Sequence, residues 1–256
     1  MRLGICVPFD KIDEAAAYGY DYIEPSLGSI ATLSEEEFET VKAAAKTKPI
    51  KVEAANVMLP GWAHILGKET NWPEIREYLT KAYRRLAELG GEAIVFGSGG
   101  ARRVPDGLTN EEVWPQLICF SRWIAELARE NGLTIALEPL NTKECNIITS
   151  VSEGGRLVED VKDPNFKLLA DYYHMIRENE GFGGVETYGK ELRHTHFHPA
   201  IGSETAPNPE DGCDYGMFFS KLKESGYDGR VSLEGTPNFG PAYKDACTWL
   251  KSLMPN

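Results

Sequence analysis

Glu138, Asp171, His196 and Glu234 each stand at or near the end of a short apolar run, in TIALE, FKLLAD, RHTHF and RVSLE. Gathered at one place, three carboxylates and one imidazole make an oxygen-rich set for a divalent cation. Such a set favours Mn2+, with Mg2+ and Co2+ as alternatives; zinc remains a candidate because affinity alone does not discriminate against it. A cation held there polarises a substrate carbonyl and stabilises the enediolate formed when a carboxylate takes the neighbouring proton. Glu138 and Glu234 are the candidate catalytic pair that takes and returns that proton. Return to the opposite face gives epimerisation, return to the adjacent carbon gives aldose–ketose isomerisation, and loss of a β-hydroxyl gives a dehydratase. A barrel that binds a sugar or a partner subunit without catalysis is the alternative from another class.

The histidines sharpen this set. The chain has five, and three of them, His194, His196 and His198, fall in RHTHFH. Strand alternation puts these three on one face. His196 is expected as the ligand, His194 as its support and His198 near substrate. Trp62 and His64 in MLPGWAH, with Tyr172, Trp114 and Phe239, are aromatic candidates for a sugar's C–H face; Trp62 is chosen for substrate contact and Trp114 for packing at a helix start. In VFGSGGARRVPDG, Arg102 or Arg103 can grip a carboxylate or phosphate in forked geometry, and Arg102 is taken as the binding residue; the alternative is a glycine-rich turn with two surface arginines. Glu24 in IEPS, and Glu53 with Asn56 in VEAAN, are second-rank site candidates, with hydrogen bonding inside the fold as their alternative role. GSGG and GFGG both fail the Walker pattern, which argues against ATP.

Positioning these groups requires strands that end together. Apolar or β-branched runs at Arg2–Val7, Tyr22–Glu24, Lys51–Ala55, Ala93–Gly97, Thr134–Glu138, Lys167–Asp171, Arg193–His198 and Arg230–Glu234 read as eight strands. Helical stretches lie between them, among them Ser34–Thr47 with a Ser-x-x-Glu start, Trp72–Leu89 closed by Gly90-Gly91, and Glu111–Glu130 ending before Gly132. This alternation predicts an α/β chain folded as one (β/α)8 TIM barrel over residues 1–256, with its site at the carboxyl ends of the strands. Ile201–Asp214, rich in Pro, Gly and acids, reads as a long loop overhanging that mouth.

Composition agrees. A length of 256 residues is near the usual size of one such barrel. The net charge of −12 argues against a nucleic-acid partner. Five dispersed cysteines without C-x-x-C spacing read as free thiols. With no apolar run long enough to span a bilayer and no signal core in MRLGICVPFD, a cytoplasmic location without membrane partners is expected.

LEPLN at 137–141, ADYYHM at 170–175, RHTHF and SLEG at 232–235 together resemble, in order, the metal-binding stations of the sugar isomerase/epimerase superfamily with the xylose-isomerase-like TIM barrel. That superfamily includes ketose 3-epimerases, hydroxypyruvate isomerases and inosose dehydratases. The resemblance spans nearly the whole chain and implies Glu138, Asp171, His196 and Glu234 as metal ligands. It also implies His174, three residues after Asp171, and Glu144, six after Glu138, as substrate contacts. A small sugar or keto-acid substrate and a homodimer or homotetramer follow by the same resemblance. Two positions depart from the ketose 3-epimerase pattern: His198 stands where an acid is expected and Gly202 where an arginine is expected, so the grip on the sugar hydroxyls is altered. The GSGGARR loop resembles one shared by superfamily members that are not ketose epimerases. An endonuclease-IV-like metal cluster demands more histidine and acid ligands than five histidines supply, and the acidic surface opposes DNA.

Overall fold

The computed structural model describes residues 1–200, 205–236 and 238–255. Nine parallel strand segments run β1 Arg2–Ile5, β2 Tyr22–Ile23, β3 Lys51–Val52, β4 Ala54–Ala55, β5 Ala93–Phe96, β6 Thr134–Leu137, β7 Phe166–Asp171, β8 Leu192–Phe197 and β9 Arg230–Leu233. They are ordered β3-β2-β1-β9-β8-β7-β6-β5-β4, so each pairs with its neighbour in sequence except at two places. The first is the pairing of β1 with β9, Arg2 opposite Arg230 through Ile5 opposite Leu233. The second is the gap at Glu53, where β3 passes into β4. There the Glu53 N–H donates to the Ile23 carbonyl, and the Glu53 carbonyl accepts from Glu92 and Ala93. The expected strand Lys51–Ala55 is thus two short segments that carry the sheet around into a TIM barrel.

Glu53 sits at the opposite end from the strand-end acids. Its carboxylate accepts from Arg2 at 2.6 Å and from Arg230 at 2.8 Å, the first residues of β1 and β9. Arg230 also pairs with Glu92. The charges tie the base of the barrel together, so of the two roles read for Glu53 the structure shows hydrogen bonding inside the fold: it lies three residues before the strand-end Asn56, at the level where β1 and β9 begin.

Helices surround the strands, and those expected from sequence form. Glu35–Ala45 starts with a reciprocal capping box between Ser34 and Glu37, and Asn110–Glu130 with one between Thr109 and Glu112, each satisfying N–H groups that a helix leaves open. Trp72–Glu88 ends before Gly90, whose φ of 91° suits glycine. Most core residues fill the layer between strands and helices, while Val95, Ala136 and Leu169 form a separate small cluster from β5, β6 and β7. Inside the barrel, Tyr22 lies over Gly4, where any Cβ would come within 2.2 Å of the ring. No helix among the described residues is long and apolar enough to cross a membrane. Of the predicted loop Ile201–Asp214, residues 201–204, Gly202 included, lie outside the described residues.

Candidate metal centre and active site

β6, β7, β8 and β9 are consecutive neighbours in the sheet, and each contributes one group. Asp171 ends β7 and His196 lies in β8, directly opposite one another in register. Glu138 and Glu234 come one residue after β6 and β9, and their N–H groups still bond to the carbonyls of Phe96 and Phe197. The four acidic or imidazole groups are therefore set on an arc of rigid backbone, with the two glutamates at its ends. One ligand atom from each of Glu138, Asp171, His196 and Glu234 lies within 4.8 Å of all the others. Gly97 makes room for this: a Cβ there would come within 2.2 Å of Glu138 Oε2.

The electrostatics suit a cation. His196 Nδ1 faces Glu138 Oε1 at 3.1 Å and Glu234 Oε2 at 3.2 Å. Asp171 Oδ2 is buried without a hydrogen-bond partner; its other oxygen accepts from the Tyr173 N–H at 2.7 Å. A buried carboxylate oxygen left bare is costly unless a positive group completes it. Burial raises the Glu138 carboxyl to about 7, with Glu234 pushing the same way and the His196 hydrogen bond opposing. Burial works against ionised Asp171 too, but the imidazoles of His174, His198 and His196 hold it below the usual carboxylate range. His196 is lifted well above an ordinary histidine by Glu24 and Glu234, overcoming its burial. Three acids around a centre with a bare buried oxygen and a turned imidazole fit a divalent cation.

Around this centre lie further polar groups. The Glu24 carboxylate, fully buried, takes His196 Nε2 at 2.9 Å on Oε1, and His194 Nε2 at 2.7 Å and Ser232 Oγ at 2.6 Å on Oε2. His194 thus meets the centre through Glu24. Asn56 Nδ2 donates to Glu234 Oε1 at 3.2 Å. His174 Nδ1 accepts the Asn141 N–H at 3.1 Å, which places the proton of the neutral ring on Nε2, 3.8 Å from Asp171 Oδ2. Asn141 Nδ2 also bonds Glu144 Oε1 at 2.6 Å, linking the exposed Glu144 to His174. His198 stacks on Tyr173 with centroids 3.8 Å apart, and its Nδ1 faces the Pro199 carbonyl at 3.1 Å.

The remaining expected residues divide. Arg102 is fully buried, and its guanidinium donates to the carbonyls of Phe96 at 2.8 Å and Glu138 at 2.6 Å. It braces the backbone that carries Glu138, so the expectation of a substrate grip is corrected: both ends of its fork are taken up by the protein. Arg103 is exposed and donates to the Glu144 carbonyl at 3.2 Å. Trp62 is 46% exposed and packs edge-on against Tyr78. Its ring contact is with Tyr78 of the helix Trp72–Glu88 and not with the four-residue centre. Trp114 bonds Asp160 and lies under Arg156, a packing role. Tyr172 stacks on Phe218 and Phe239 packs against Tyr18 and Tyr243, both among the outer helices. Sequence reasoning ranked Glu24 and Asn56 second and missed Asn141, Tyr173 and Ser232. Glu24 carried a signal, an acid that follows a short apolar run; the others are ordinary polar residues with no such mark in the sequence.

Known proteins share this architecture. Residues 12–253 match the family described as "Xylose isomerase-like TIM barrel". The 3-dehydro-D-guloside 4-epimerase of Escherichia coli (strain K12) is 24% identical over 223 residues, covering 84% of each chain. The L-ribulose 3-epimerase of Methylomonas sp. (strain DH-1) is 29% identical over 227 residues, 86% of this chain and 75% of its own. Among solved structures, the 3-keto-D-glucoside 4-epimerase of E. coli superposes with a TM-score of 0.82 at 21% identity, covering 98% of this chain and 99% of the other.

Proposed function

The chain belongs to the xylose isomerase-like TIM barrel family, and we propose that it is a divalent-metal-dependent sugar epimerase or isomerase acting on a ketose or related hydroxy-carbonyl compound. The relatives named above, epimerases of keto-sugars and ketoses, support the reaction class. The observation that carries the metal is the bare, buried Asp171 Oδ2 within the four-residue centre. Glu138, Asp171, His196 and Glu234 would hold the ion, with Mn2+ favoured for this mostly oxygen donor set. When bound, a divalent cation supplies a Lewis acid that polarises the substrate carbonyl and stabilises the charge of an enediolate.

The side chains do the rest. Glu138, whose carboxyl burial raises to about 7 in the metal-free centre, is the residue that takes a proton from the carbon beside the carbonyl and gives one back. Glu234 closes the other end of the strand arc, its Oε1 held by Asn56, and is the partner that addresses the opposite face. His174, with Nε2–H turned toward the centre, is a donor for a substrate oxygen and keeps its tautomer through the Asn141 N–H. Glu144 and His198 are the flanking substrate contacts. Calorimetric titration of metal-free protein with Mn2+ tests the centre: one ion per chain is expected, with binding lost or greatly weakened in Asp171→Asn. Equal affinity in that variant would remove Asp171 from the ligand set and the basis of the proposal with it.

A further inference from the structure

A carboxylate accepts hydrogen bonds and donates none. Glu24 is fully buried, and three groups from two other strands face its two oxygens: His194 and His196 of β8, and Ser232 of β9. Each must therefore be a donor. Both imidazoles carry their proton on Nε2, and the Ser232 hydroxyl points at Glu24. Ser232 Oγ then accepts from the Tyr22 hydroxyl, 2.8 Å away. One carboxylate at the end of β2 so sets the proton positions of four side chains in the barrel interior. The arrangement has a visible cost at His194, whose Nδ1 is left as a buried acceptor without a partner. It has a visible result at His196, where Glu24 holds the Nε2 proton and Nδ1 is the nitrogen that faces Glu138 and Glu234, the one whose proton an entering cation would displace.

We infer that Glu24 is the positioning residue of the metal centre: it fixes His196 as the Nε2–H tautomer and aims the Nδ1 lone pair at the ion. The inference rests on the metal reading above and adds a residue outside the four-residue centre. Its logic is specific to a carboxylate. Glutamine offers one acceptor oxygen and an NH2 group against three donors, so one face must break. If the amide nitrogen meets His196, the imidazole proton moves to Nδ1 and the ligand is lost. If it meets His194 and Ser232, His194 must put its proton on the partnerless Nδ1, a buried donor with nothing to bond. The hydrogen-bonding partners behind metal-bound histidines raise ligand basicity and hold the ring, and losing one costs roughly 10–100-fold in metal affinity.

The test titrates Mn2+ into the metal-free full chain and its Glu24→Gln and His194→Gln variants, with thermal unfolding of each in parallel. Glu24→Gln is expected to bind Mn2+ about 10–100-fold more weakly than wild type. His194→Gln, which leaves the Glu24–His196 bond in place, is expected to stay near wild-type affinity. Wild-type affinity in Glu24→Gln, or an equal loss in both variants, overturns the inference while leaving the metal centre standing. A wild type that takes up no Mn2+ overturns both. Should Glu24→Gln fail to fold, nitrogen NMR of 15N-histidine-labelled wild type loaded with diamagnetic Zn2+ decides: Nε2 protonated and Nδ1 ligated on His196 is expected, and the reverse refutes the inference.

Discussion

Arg102→Met separates a brace from a substrate grip. The substitution keeps much of the buried stem but removes two charge-assisted hydrogen bonds, to the carbonyls of Phe96 and Glu138. The Phe96 carbonyl keeps the bond it accepts from the Glu138 N–H, so the principal loss falls on the Glu138 carbonyl. Bonds from charged donors contribute about 1.5–3 kcal/mol each, and burying a methionine in place of a guanidinium returns part of that, giving a net loss of about 2–4 kcal/mol. For a chain of this size that lowers Tm by about 5–12 °C. Because the freed backbone carries Glu138, Mn2+ affinity should fall roughly tenfold, in the range seen when a ligand's supporting contact is lost. With saturating metal, KM for substrate should stay near wild type. Differential scanning calorimetry, Mn2+ titration and steady-state kinetics on one preparation supply all three readings. An unchanged Tm with a raised KM would refute the brace and restore Arg102 as a substrate contact.

Two further outcomes follow from the geometry of Glu138. Since its carboxyl titrates at about 7 and His196 titrates well above its ordinary value, an entering cation displaces protons from both below neutrality. Mn2+ affinity should fall by at least about tenfold per pH unit as pH drops from 7 toward 5, with proton release seen as a buffer-dependent heat; a flat profile would mean that neither Glu138 nor His196 is a ligand. Gly97→Ala places a methyl group where Glu138 Oε2 lies, 2.2 Å away, and displaces a flexible carboxylate rather than backbone. Its Tm should change little while metal affinity drops; an unchanged affinity would show that Glu138 has freedom to relax.

Much of this barrel was legible because its signals are local. The capping boxes at Ser34 and Thr109 and the terminal Gly90 announce helices within a few residues of chain. The four strand-end groups were legible for the same reason, since each ends or nearly ends its own apolar run. Interactions across the barrel were not. Glu53 and Glu24 both stand in or beside short strands, yet one faces Arg2 and Arg230 at the base and the other two histidines below the centre. Which end a side chain occupies depends on register with strands far away in sequence, and β3 and β4, two residues each, offer no alternation from which to read it. Arg102 misled for a related reason: an arginine after a glycine-rich turn is equally suited to a ligand's oxygens and to backbone carbonyls, and the sequence does not show which lie within reach.

On the proposed function, these side chains remove a proton beside a carbonyl at a metal centre. Solvent-deuterium uptake measures that step whatever the final product. Wild-type protein with Mn2+ should incorporate deuterium at the carbon adjacent to the carbonyl of at least one member of a panel of ketoses, keto-glycosides, keto-cyclitols and hydroxypyruvate, read by mass spectrometry after the metal is removed. Uptake should cease with chelator and fall by at least about 100-fold in Glu138→Gln, the range for loss of a general base. Protein that binds Mn2+ yet exchanges no proton in any of these compounds, or a Glu138→Gln variant that exchanges as fast as wild type, would contradict it.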